Sequence, residues 1–149
     1  MSFKLHPEAD NWFRRIDGQQ PFESKFDVYY LCAMIGFQKG RSEPLENGNE
    51  FVKDFTQRFR PYQILLVGRL ISSVLKRKGI HVDERAAVVK EISALVNGAA
   101  ASGELTPEGV RELNEYAAGG FNYLREQLSD MPNNPIYLLS RCKDILVNP

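Results

Sequence analysis

The sequence predicts an all-α fold, a single compact domain of about six helices around a central buried helix at residues 61–79. Two observations support this fold class. In successive segments apolar residues recur at three- and four-residue spacing, as they do on the buried face of an amphipathic helix. No segment shows the sustained apolar–polar alternation between turn signals that is typical of a strand. A chain of 149 residues is long enough to bury a core of this kind.

The first part of the chain divides into an arm and a helix. Residues 1–21 show no regular period but carry Trp12, Phe13 and Ile16, so we expect an arm that packs on the body. Residues 22–149 are expected to form the helical domain. Its first helix is predicted over "SKFDVYYLCAMIGF", where Ser24 can cap the start and Asp27 favours the positive end of the helix dipole.

The next segments are expected to form a loop and two helices. "QKGRSEPLENGN" has the glycines and proline of a loop. "EFVKDFTQRF" spaces three phenylalanines four residues apart and predicts a short amphipathic helix. In "PYQILLVGRLISSVLKRKG", Pro61 suits a first turn and Gly79 an exit. Its apolar residues cover nearly the whole circumference, so we expect this helix in the centre of the domain.

Three capping signals place the remaining helices. Asp83 is expected to cap "ERAAVVKEISALV", and the loop "NGAAASGE" follows at residues 97–104. Thr106 and Pro107 form a good helix start, as do Asn134 and Pro135 before "IYLLSRCKDIL".

The helix after Thr106 contains two adjacent glycines, Gly119 and Gly120, in the stretch "NEYAAGGFNYLREQL". Each glycine costs a helix about 1 kcal/mol relative to alanine. Three interpretations are open: close packing of another helix, a groove for a ligand or partner side chain with Tyr116 and Tyr123 on its rims, or a local kink.

Charge is unevenly distributed although the formal net charge is zero. Residues 52–81 hold seven lysines and arginines against Asp54 alone, and residues 82–131 hold four basic and nine acidic side chains. The two segments can neutralise each other, or the basic one can contact a nucleic acid backbone. The candidate nucleic-acid-binding residues are Lys39, Arg41, Arg58, Arg60, Arg69, Lys76, Arg77 and Lys78.

The sequence contains no catalytic constellation that we recognise, so we expect no enzyme, metal or cofactor. His6 and His81 are interpreted as surface or turn residues. Cys32 and Cys142 are interpreted as a reduced, buried pair. The glutamates Glu104, Glu108, Glu112 and Glu115 are interpreted as a solvated, mildly self-repelling helix face. The longest strictly aliphatic run, residues 64–67, is too short to span a membrane.

Two stretches carry a resemblance to a known family. "FDVYYLCAMIGFQKGRSEPL" joins an aromatic helix with Gly36 to a basic loop with Arg41, and "LNEYAAGGFNYLREQL" presents the double glycine. Together they cover roughly a quarter of the chain. They resemble small proteins associated with bacterial DNA phosphorothioation (Dnd-type) modification and restriction systems. The resemblance implies a cytoplasmic accessory protein of an anti-phage defence locus that acts within a larger assembly, with Arg41 and the glycine pair as parts of a contact surface.

These observations together predict a non-catalytic accessory subunit that works through a protein partner, with non-specific DNA backbone contact as an addition. Two alternatives remain. One is a small helical subunit of another nucleoprotein complex, such as a CRISPR effector, which requires a continuous basic surface. The other is a phage- or plasmid-borne inhibitor that binds a host protein. Neither the partner nor the oligomeric state follows from the sequence.

Overall fold

A computed structural model describes residues 2–98 and 104–148. Within them the protein is mainly helical, as predicted, with a small antiparallel sheet of two strands and one 3₁₀ helix. The strands are β1 (Phe3–Leu5) and β2 (Asn49–Val52), and the 3₁₀ helix spans Gln57–Tyr62. The α-helices are α1 (Ala9–Trp12), α2 (Lys25–Lys39), α3 (Gln63–Arg77), α4 (Arg85–Leu95), α5 (Pro107–Gln127) and α6 (Pro135–Val147).

Side-chain caps begin three of the helices at the predicted positions. Asp27 accepts a hydrogen bond from the Ser24 backbone N–H at 2.8 Å. The Thr106 hydroxyl accepts from the Gly109 N–H at 3.0 Å, and Asn134 accepts from two N–H groups at the start of α6. The predicted Asp83 cap is wrong, because α4 begins two residues later, after Glu84. The predicted loop at residues 97–104 lies largely outside the described residues.

The core is organised by α2 and α5, which form the most extensive contact between described elements. Their backbones meet at glycines. A Cβ atom built on Gly120 would lie 1.7 Å from the Cys32 carbonyl oxygen, and one on Gly36 would lie 2.1 Å from the Tyr116 carbonyl oxygen. Such distances leave no space for any side chain. The two helices therefore touch backbone to backbone, which brings many atoms into dispersion contact.

The expectation that residues 61–79 form a helix buried on all sides is not confirmed. Helix α3 buries one face, while Ile64 and Leu65 on the other are 66% and 52% exposed. The number of apolar residues in this segment suggested burial on all sides, but it does not show which of them face a neighbouring element. An amphipathic helix on the surface commonly leaves some aliphatic side chains in water, since polar residues are too few to cover a whole protein.

The N-terminal residues and the segment after β2 join the core. Phe3 and Leu5 are buried, and the Phe3 ring meets Phe26 and Phe55 edge-on at centroid distances of 5.6 and 5.1 Å. The helix predicted over residues 50–59 is wrong, because Asn49–Val52 pairs with β1 and the 3₁₀ helix begins only at Gln57. Strands of three and four residues are too short to show the sustained alternation by which a strand is recognised from the sequence.

One buried amide attaches β1 to the helices. The Asn114 side chain on α5 accepts hydrogen bonds from the Lys4 N–H at 3.0 Å and the Tyr29 hydroxyl at 2.7 Å, and it donates to the Ser2 carbonyl at 3.0 Å. All polar atoms of the amide that face the interior are therefore paired with the strand or with α2.

We predict opposite effects for two glycine-to-alanine substitutions in helices. Gly120→Ala forces α2 and α5 apart and should lower the free energy of unfolding by about 2 kcal/mol or more. Gly68→Ala is the matched control, because a Cβ there meets nothing within 4 Å. It should raise the free energy of unfolding by roughly 0.5–1 kcal/mol through helix propensity. Urea denaturation measures both, and equal effects would contradict the close crossing.

Candidate functional site

The strongest candidate site is an open apolar groove between α2, the 3₁₀ helix and α6. Its cavity has a volume of about 500 Å³, within the range of roughly 300–1,000 Å³ found for ligand-binding clefts. We call it the aromatic groove. It is lined by Pro21, Phe22, Asp27, Tyr30, Leu31, Arg58, Phe59, Tyr62 and Leu139.

Three aromatic rings form the centre of the groove. The Tyr30 ring lies 5.4 Å from Phe59 and 6.2 Å from Tyr62 between centroids, and Phe59 lies 6.1 Å from Tyr62. The planes are inclined by 41° to 59°, so the rings offer both faces and edges to the cavity. Phe59 is buried, whereas Tyr62 is 51% exposed. A half-exposed tyrosine beside a buried ring is typical of residues that anchor interfaces.

A charged cluster closes one end of the aromatic groove. Arg58 forms ion pairs with Asp27 and, at 3.2 Å, with Glu23, and its guanidinium lies 5.4 Å from the centre of the Phe59 ring. The Asp27 side chain is only 8% exposed and also accepts the hydrogen bond at the start of α2. The cation at this end is therefore already paired with two carboxylates, and it is held against the aromatic wall.

A second arginine, Arg69 on α3, differs from Arg58 in its surroundings. Burial raises the pKa of the Tyr30 hydroxyl, the neighbouring Tyr62 adds to the rise, and the positive charge of Arg69 opposes it. Arg69 is half-buried on α3, and within the described part of the chain no carboxylate pairs with it. An arginine without a carboxylate partner among the described residues therefore lies on α3, close enough to Tyr30 for its charge to act on the hydroxyl.

The groove has no signature in the sequence because its lining comes from separate segments. Phe59 was expected on an amphipathic helix and Tyr62 on a central buried one, while Leu139 lies on α6 far along the chain. Only the packing of α2 beside the 3₁₀ helix and α6 brings these residues together.

Most of the predicted nucleic-acid-binding residues are paired with acids of this chain. Arg41 contacts Glu126 at 2.6 Å and Glu43 at 2.8 Å, and Arg60 lies 3.6 Å from Asp54. The remaining ion pairs among these candidates are Arg58 with Asp27 and Glu23, Arg77 with Glu112 at 2.7 Å, and Lys78 with Glu91 at 3.0 Å. Charge asymmetry between neighbouring segments is thus partly neutralised inside the fold.

The other three candidate cations lie on α2 and α3. Lys39 donates to the Asn148 carbonyl at 2.6 Å and lies 5.4 Å from the centre of the Tyr123 ring. Arg69 and Lys76 both lie on α3, seven residues apart. Lys39, Arg69 and Lys76 have no carboxylate partner among residues 2–98 and 104–148.

Of the three interpretations of the glycine pair, the structure favours close packing, because backbone atoms fill the space beside both glycines. Gly120 faces the α2 backbone, and a Cβ on Gly119 would lie 2.3 Å from the Arg41 carbonyl oxygen. Tyr116, expected on a rim, is 1% exposed and packs on Phe37 at 5.1 Å. Tyr123 is half-buried beneath Lys39 and Arg41. Close packing of α2 therefore accounts for Gly120, and close packing of the loop that follows α2 accounts for Gly119, so the face they form has no room for a ligand.

The glutamates of α5 are not a self-repelling solvated face. The Glu112 side chain is 8% exposed and pairs with Arg77. Arg111 lies within 3.6 Å of Glu108 and at 3.2 Å from both Glu112 and Glu115. The sequence interpretation counted only like charges and missed the arginine placed between them, which turns repulsion into attraction.

The two cysteines and two histidines lie in surroundings that indicate structural roles. Cys32 and Cys142 are free and buried, as predicted, and burial raises the pKa of the Cys142 thiol to about 12. His81 is exposed in the turn before α4, and the His6 ring accepts a hydrogen bond from the Glu8 N–H. No cluster of three or more histidine, cysteine or acidic side chains suited to a metal ion occurs in the described residues.

Comparison with known proteins adds no relative: no family model, no curated protein and no solved structure matches the chain. Among the described helices, none has the length and apolar character needed to cross a bilayer.

The pairing of the basic residues predicts weak DNA binding. Among the eight candidate residues only Lys39, Arg69 and Lys76 lack a carboxylate partner in the described part of the chain. If DNA contacts these three, the logarithm of the association constant should fall with the logarithm of salt concentration with a slope no steeper than about −3. Anisotropy of a labelled duplex should show no binding at about 150 mM salt. Glu91→Gln, which frees Lys78, should strengthen binding at low salt. Tight binding at physiological salt with a steeper slope would contradict this account.

Proposed function

We propose that the protein is a non-catalytic helical accessory subunit that works by binding a protein partner within a bacterial anti-phage defence assembly. The observation that carries the docking role is the aromatic groove, with its half-exposed Tyr62 and its open apolar cavity. An exposed aromatic residue at the mouth of an apolar cleft gains free energy when a partner covers it. The defence setting and a cytoplasmic location rest on the resemblance to Dnd-associated proteins.

Contact with DNA is the secondary part of the proposal. Its support is reduced by the ion pairs that occupy Arg41, Arg58, Arg60, Arg77 and Lys78. A CRISPR-like subunit requires a continuous basic track, and these pairs disfavour one. An inhibitor that binds a host protein would use the same groove, so the identity of the captured protein separates that alternative from a defence subunit.

Photo-crosslinking in the organism that encodes the protein tests the docking role. A photoreactive phenylalanine analogue at position 62 should yield a covalent adduct with a component of a defence assembly. The matched control is position 137, where Tyr137 is equally exposed (54%) but lines a different cleft. Adducts of equal yield at both positions, or none at position 62, would contradict docking at the aromatic groove.

Phage plating tests the defence role separately. Deleting the gene should raise the plating efficiency of phage, and the wild-type protein and Tyr137→Ala should both restore protection. Tyr62→Ala should fail to restore it while remaining folded, because its side chain is half in solvent. Unchanged plating in the deletion strain would overturn the defence role, and nuclease activity of the purified protein would overturn the non-catalytic one.

A further inference from the structure

The partner class can be inferred from the shape and charge of the surface around the aromatic groove, an inference that rests on the proposed docking function. Its apolar surface continues beyond the cavity along α3. Tyr62 directly precedes α3, and Leu65 and Arg69 follow it at i+3 and i+7. Residues at this spacing lie on one face of a helix. At about 1.5 Å per residue, Arg69 lies roughly 10 Å along the axis from Tyr62.

The exposed side chains along this face favour an elongated partner over a small molecule. Leu65 is 52% exposed outside the cavity, and Ile136, 68% exposed, lies one turn before the groove residue Leu139 on α6. A compact ligand held in the cavity would leave both in water. A helix laid along the groove covers apolar residues over two turns or more, which is how amphipathic helices bind hydrophobic grooves.

The charges around the aromatic groove determine whether an acidic or a basic helix binds better. At the Asp27 end Arg58 pairs with two carboxylates, so the three charges sum to −1 and that end repels an anion. Arg69 lies on the same face of α3 as Tyr62, its positive charge acts on the Tyr30 hydroxyl, and no carboxylate in the described part of the chain pairs with it. A carboxylate on the partner, placed two turns from the residue that contacts Tyr62, would pair with it. A lysine there would meet like charge.

We infer that the aromatic groove binds an acidic amphipathic helix of a partner protein, whose apolar side chains fill the cavity at Tyr30 and Tyr62 and whose carboxylate pairs with Arg69. The apolar contacts supply the affinity. The pairing with Arg69 supplies the choice between acidic and basic helices, because charges at the rim of an interface act chiefly on specificity and association rate.

Fluorescence anisotropy with three labelled synthetic peptides tests this inference on the full-length protein. The probes are a helical peptide with leucines on one face and glutamates beside them, the same peptide with lysines for the glutamates, and a scrambled acidic peptide. The first should bind at least about tenfold more tightly than the other two. Its affinity should fall as salt rises.

Variants of the protein then assign the contacts. Tyr62→Ala should weaken binding of the acidic peptide about tenfold or more. Arg69→Glu should reverse the preference, so that the lysine peptide binds more tightly than the glutamate peptide. The control Lys90→Glu changes an exposed cation on α4 by the same charge and should leave the preference unchanged. Equal binding of all three peptides, or an unchanged preference in Arg69→Glu, would overturn the inference.

Two further outcomes separate this inference from the docking function. If position 62 crosslinks a partner in cells but no acidic peptide binds, the partner class is wrong and docking stands. If neither occurs, docking at the groove falls as well. Analytical ultracentrifugation tests whether a second copy of the chain occupies the groove instead. A dimer of the wild type that Tyr62→Ala converts to monomer would show this, and it too would overturn the inference.

Discussion

The backbone crossing of α2 and α5 is the contact on which the rest of the structure depends. Gly36 and Gly120 lie at the crossing, and Gly119 admits the backbone of the loop that follows α2. Each glycine weakens its helix by about 1 kcal/mol, but without them the two helices could not approach this closely. The same crossing places Asn114 opposite Tyr29 and the first strand, so the N-terminal residues are held by a buried amide that makes three hydrogen bonds.

This crossing also determines which face of α2 remains available. The face with Tyr29, Cys32 and Gly36 lies against α5, whereas Tyr30 and Leu31, one residue away, project towards the space between the 3₁₀ helix and α6. Neighbouring residues on a helix point about 100° apart, so burying one stripe exposes the next. The aromatic groove is thus a consequence of how α2 is packed. The carboxylate-paired Arg58 and the arginine Arg69, which has no carboxylate partner in the described part of the chain, make the charge at its two sides different.

The sequence predicted helices well where caps and periodicity agree, as at Thr106 and Asn134. It failed where the outcome depends on neighbours. The apolar residues of α3 could not be divided into buried and exposed ones without knowing which elements lie beside the helix. Ile64 was therefore expected in the core, although it faces solvent. The short strands left no period to detect. The glycine pair was recognised as unusual, but only the structure shows that α2 fills the space beside it. The groove combines distant segments and has no local signature.

Native-state hydrogen exchange tests the central role of the α2–α5 contact most directly. In small domains the slowest amides exchange only on global unfolding and mark the most stable elements. We expect these to be amides of α2 and α5 around Cys32, Gly36, Tyr116 and Gly120, and we expect amides of α3 and α4 to exchange faster. Slowest exchange in α3, with α2 and α5 opening at lower free energy, would contradict this expectation and restore residues 61–79 as the centre of the fold.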